Sequence, residues 1–154
     1  MTRLFFPAAA ITLLAATGGA VAQEKQFIQP EGLSKPATYT HVVVVQGGRT
    51  LFIAGQVAAN AKGEVVGKGD LRAQTTQVME NLKIALAAAG ATFADVVKSN
   101  TYVVNLKPED LPVVREVRGK YFGAANPPAS TLVGVTALAS PDYLIEVEAI
   151  AVVK

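Results

Sequence analysis

Apolar residues recur along this chain with two different periods, and the periods alternate. The segment "HVVVVQGGRTLFIAGQVA" (41–58) holds two β-branched runs on either side of Gly47-Gly48, a hairpin signal. The residues before it, 23–40, are polar and carry Pro30 and Pro36, which predicts an arm running over the surface. "NAKGEVVGKGD" (60–70) is rich in turn residues and predicts at most a short strand at 64–66. The period then lengthens. Asp70 has the chemistry of an N-cap. Behind it Leu71, Thr75, Val78, Met79, Leu82, Ala85, Leu86 and Ala89 recur in steps of three and four, the face of an amphipathic helix closed by Gly90.

"DVVKSNTYVVN" (95–105) returns to strand composition. Pro108 and Pro112 suit a loop and the first turn of a second helix. Val113, Val114, Val117 and Tyr121 form its apolar stripe, and Gly123 ends it. Two strand-like runs joined by "ASPD" complete the chain. The order β, β, (β), α, β, α, β, β predicts an α+β sandwich, one mixed sheet with two helices on one face. In "LIEVEAIAVV" (144–153), Glu146, Glu148 and Ile150 share one face and Ile145, Val147 and Ala149 the other. A strand this apolar should be buried on both sides. The helices cover one side, so the pattern predicts a second subunit on the other.

The first 22 residues follow a third pattern. Arg3, an apolar run from Leu4 to Ala16 and Ala20-Val21-Ala22 before Gln23 read as a cleaved secretory leader. The run contains Pro7 and is short for a membrane span of about 20 residues. The expected organisation is a signal peptide at 1–22, an arm at 23–40 and one domain at 41–154, exported to the periplasm or secreted, with no membrane attachment after cleavage. The full chain of 154 residues carries a formal charge of +2. Without Arg3 the net charge is about +1, with no basic cluster, which argues against nucleic acid as a partner. There is no cysteine and one histidine, His41. Thiol catalysis and disulfides are excluded, and no spacing suits a metal centre.

What chemistry is left lies in a few polar residues. Glu146 and Glu148, about 7 Å apart on one strand face, can hold water or an amine, or can be solvated acids. Ser130 and Thr131 follow Pro127-Pro128; their hydroxyls can bind a ligand or satisfy local backbone. Arg115 and Arg118 lie on the second helix, as a solvated face or with Arg115 reaching an anionic ligand. Asn100 and Asn105 read as turn or edge residues. His41, alternating with Tyr39, reads as structural.

Taken together, "LFIAGQVA", "QTTQVMENLKIALAAAGATFADVVKSNTYVV" and "LIEVEAIAVV" resemble the RidA (YjgF/YER057c) family over nearly all of 41–154. The resemblance implies a chorismate-mutase-like fold and a homotrimer with inward-facing sheets and a cleft at each subunit interface. It also implies hydrolysis of reactive enamines and imines to a 2-oxo acid and ammonia, without metal or cofactor. The family tyrosine falls on Tyr39, its Gly-Gln turn on Gly55-Gln56 and its water-positioning glutamate on Glu146. The arginine that grips the substrate carboxylate falls on Ser130, beside Thr131, and a cleft asparagine falls on Arg115. The family's serine before the Gly-Gln turn is Ala54. The expectation is therefore a RidA-like hydrolase with an altered small-molecule substrate. The alternative is a non-catalytic, exported trimer that binds a small molecule or acts like a chaperone. Nucleolytic activity, ascribed to some relatives, finds no support in the charge distribution.

Overall fold

β6 (Ile145–Val153) is the hub of the computed structural model, which describes residues 23–154. The leader expected at 1–22 lies outside those residues. β6 pairs antiparallel with β3 (Arg49–Val57) on one side and with β4 (Val96–Val104) on the other. β5 (Ala129–Val135) runs parallel to β4, giving the order β3-β6-β4-β5. Helix α1 (Leu71–Ala88) and helix α2 (Asp110–Phe122) pack on this mixed sheet, as the sequence predicts.

Burial along β6 alternates: Ile145, Val147, Ala149 and Ala151 are buried, and Glu146, Glu148 and Ile150 are half-buried. The buried set meets Val78, Met79, Leu82 and Leu86 of α1 and Val114 and Val117 of α2. This is the core. Cutting a side chain such as Leu82 back to alanine costs about 2–5 kcal/mol. Asp70 caps α1 by accepting from Ala73 N at 3.0 Å, and Gly90 closes it with φ +74°. Gly123, at φ +71°, ends α2.

Three expectations are corrected. The polar arm is not all loop: Glu24–Ile28 forms strand β1, which pairs antiparallel with β2 (Val42–Gln46). Gly47-Gly48 makes a bend rather than a hairpin turn, because β2 finds its ladder partner in β1 and β3 finds its own in β6. The β1–β2 ribbon is tied to one end of the main sheet. Gln23 Nε2 donates to Val152 O at 2.6 Å, Lys25 Nζ to Ala94 O at 3.2 Å, and Thr40 N to Pro128 O at 3.1 Å. Finally, the short strand expected at 64–66 shrinks to a single bridge between Val65 and Ala59.

Candidate functional site

Two groups of polar side chains flank the sheet, one on each face. On the open face, β3 bulges. Ile53 pairs with Ala149 and Gln56 with Val147, so β3 spends one residue more than β6 between the same two rungs. The extra backbone falls at Ala54-Gly55. A Cβ at Gly55 would overlap the Glu146 carboxyl group, so that carboxylate rests directly on the Gly55 backbone. Towards α1, away from the open face, Gly55 and Gln56 also line a cavity of about 410 Å³ bounded by Asn81 and Ile84. Gln56 Nε2 turns back to Ala54 O at 3.0 Å. The structure thus joins Glu146, Gly55 and Gln56.

Next along this face, Glu148 Oε1 accepts from Asn100 Nδ2 at 2.7 Å and from Tyr102 OH at 2.9 Å. Those bonds, Asn100 first, hold the Glu148 carboxyl below the usual range, and the bond to Glu148 raises Tyr102. Asn100 is therefore an interior strand residue rather than a turn residue; Asn105, at φ +48°, is the turn. Lys98 Nζ donates to Thr131 Oγ1 at 2.7 Å. Phe52, 81% exposed, pairs with Ile150 beside a cavity of about 470 Å³.

The helix face carries the other group. β5 alternates, so Ser130 points to the helices while Thr131 lies on the open face with Lys98. The two hydroxyls that the sequence places side by side do not share a site. Ser130 Oγ accepts from Arg118 Nη2 at 3.0 Å, and Ser99 Oγ accepts from the same nitrogen at 2.9 Å. Arg118 is only 7% exposed and its guanidinium lies 5.3 Å from the Phe122 ring centroid. The reading of Arg118 as part of a solvated face is overturned. It stands one position after Val117 and four after Val114, inside the buried stripe; that spacing is the signal that could have found it. Burial, with Arg115 nearby as the second cause, lowers its pKa to about 10. Tyr39, Arg115, Arg118 and Ser130 line one cavity of about 240 Å³. Tyr39 stacks edge-on against His41, ring centroids 5.3 Å apart.

Residues 32–153 match the model of the family described as Endoribonuclease L-PSP. The structure resembles YyfB of Yersinia pestis, a protein of unknown function of the conserved Rid protein family, with 49% identity and a TM-score of 0.80. That match covers 84% of this chain and 98% of the other. The chain belongs to the RidA family. Relatives that carry activity names include two deaminases. A 2-iminobutanoate/2-iminopropanoate deaminase of Dermatophagoides farinae is 33% identical over 71% of this chain and 83% of its own length. The 3-aminoacrylate deaminase RutC of Acinetobacter baylyi is 31% identical over 82% of this chain and 97% of its own. Within this RidA chain, the residues expected to form one site fall into two sets: Glu146 with Gly55-Gln56, and Tyr39 with Ser130 and Arg115. Thr131 joins neither.

Proposed function

We propose that this RidA protein is a hydrolase of the imine deaminase type, working in clefts shared between the subunits of a homotrimer. The observation that carries the reading is the Glu146 carboxylate resting on Gly55, in the space a side chain there would fill. Water attacks the imine carbon while Glu146 accepts one of its protons. The nitrogen takes up a proton, the carbon–nitrogen bond breaks, ammonia leaves and a carbonyl forms. Every atom comes from substrate and water, so the step needs no cofactor.

The separation of the two sets supports the shared cleft. Glu146 lies on the open face of β6, and Ser130 on the helix face of β5. Two strand spacings, about 10 Å, and the sheet itself lie between them. A small substrate cannot touch both within one chain. A second copy seated on the open face, over Phe52 and Ile150, would bring one subunit's Glu146 towards the next subunit's Tyr39 and Ser130.

The test is hydrolysis of a 2-imino acid generated in situ, followed by release of the 2-oxo acid. Glu146→Gln is expected to lower kcat about 10²–10⁴-fold, the usual worth of a positioned general base. Full activity in that variant would remove Glu146 from the chemistry. An inactive wild type that still binds the 2-oxo acid would favour the non-catalytic carrier.

A further inference from the structure

Arg118 is the only charged side chain among the buried described residues, and it has no acid partner among them. Its two hydrogen bonds to protein both come from Nη2 and both go to neutral hydroxyls. A guanidinium has five N–H donors. Nε is sealed from solvent without an acceptor. Folding a cation into such a place is unfavourable unless an anion completes it. Arg118 also lines two adjoining cavities, of about 240 and 210 Å³, and Arg115 lines both with it.

Arg115 sits one helical turn earlier and is exposed, again without an acid partner among the described residues. Like charges three residues apart repel. The nearest acid along the helix, Glu116, is taken by Arg72 and Lys120. Two guanidiniums therefore face the same space, one buried and one at its rim, with neutral Tyr39, Thr38 and Ser130 around them.

We infer that Arg118 and Arg115 form a receptor for a doubly anionic ligand, in which Arg118 holds the carboxylate beside the reacting carbon and Arg115 reads a second acidic group. The inference rests on the hydrolase reading and narrows its substrates to 2-imino acids with a second carboxylate. The positive charge that the resemblance expects from β5 comes instead from α2, and Ser130, at the place of the expected arginine, is an acceptor that holds it.

The test uses product-type ligands and does not depend on turnover: calorimetric titration of the whole protein with 2-oxobutanoate (one charge) and 2-oxoglutarate (two). The wild type is expected to bind 2-oxoglutarate at least about tenfold more tightly, as one charge-assisted contact predicts. Arg115→Ala should erase that preference, weakening 2-oxoglutarate far more than 2-oxobutanoate. Arg118→Met should weaken both ligands about a hundredfold or more while raising Tm, because it removes a buried cation without a counter-ion. Arg118→Gln, which keeps a donor for the hydroxyls, should lose binding equally. A lower Tm in Arg118→Met with unchanged affinity would make Arg118 a structural residue and overturn the inference. Equal affinity for the two acids, indifferent to Arg115→Ala, would also overturn it. Imines made from alanine and glutamate by an amino-acid oxidase separate the two proposals. If both are hydrolysed equally and Arg115→Ala changes neither, the hydrolase stands and the receptor falls. If neither is hydrolysed but 2-oxoglutarate binds through Arg118, the receptor stands and the hydrolase falls.

Discussion

Ser99 and Asn100 are consecutive residues of β4, yet each serves an ion of opposite sign on an opposite face. Ser99 accepts from buried Arg118; Asn100 donates to half-buried Glu148. Both ions are held by neutral partners. Glu148 gathers two donors on one oxygen, and its pKa moves in the direction that favours its charge. Arg118 gains two acceptors, and its pKa still moves against its charge, because desolvation outweighs what two hydroxyls return. The comparison teaches that hydrogen-bond counts do not measure how content a buried charge is. The acid is satisfied by its own chain, and the base is not.

Mixing subunits gives the largest contrast. On the proposed homotrimer and hydrolase reading, Glu146→Ala and Arg118→Ala proteins should each be inactive, and co-refolding them in equal amounts should restore about a quarter of wild-type imine hydrolysis, the share of interfaces holding both native residues. No recovery would place both residues in one chain's site and end the shared-cleft reading. Next in size is the acid cluster. Glu148→Leu strands Asn100 and Tyr102, and urea unfolding should show a loss of about 1 kcal/mol, the low end for stranded donors on a face open to water. A gain there would break the comparison, since it would make Glu148 the strained ion.

Titration should then pull the clusters apart. Arg118 has a folded pKa of about 10, well below the ordinary arginine value. Its charge therefore weighs on the fold at every pH below 10, and that burden lifts as pH rises through 10. Stability relative to Arg118→Met should improve over that window while 2-oxo acid affinity falls. Glu148 behaves in the opposite sense: its lowered pKa supports the fold above the ordinary carboxylate range, and the support is lost as pH falls through the lowered value. Thermal melts at both ends of the pH scale check both signs. The smallest effect belongs to an exposed pair. Glu116 is pulled to about 2 by hydrogen bonds from Arg72 and Lys120, but the whole cluster is exposed. Glu116→Gln should leave Tm and ligand affinity within error.

The helices and central strands were legible because their periods are unbroken. α1 carries its apolar face from Leu71 to Ala89, and β6 alternates with two acids that mark its open side. β1 was not legible. "EKQFI" has too few apolar positions to announce a strand, and only β2, fourteen residues on, makes it one. Gly47-Gly48 permits a hairpin without requiring it, so the choice passed to tertiary partners. At the site, the contact of Glu146 with Gly55 follows from the pairing of β3 with β6, which neither residue announces alone. The separation of Ser130 from Thr131 was implicit in the two-residue period of a strand. Arg118 was missed for a different reason. A charged residue in an apolar stripe reads as the polar edge of the helix, until the neighbouring strand proves to offer serines at that height.

Gly55 has a consequence for how this protein can change. Its contribution is an absence, the space into which Glu146 fits. The smallest mutation available, one methyl group from Gly55→Ala, reaches the acid without touching the sheet, the helices or the arginines. On the proposed hydrolase reading, a lineage could pass from catalyst to carrier by one codon step, keeping the ligand and discarding the reaction.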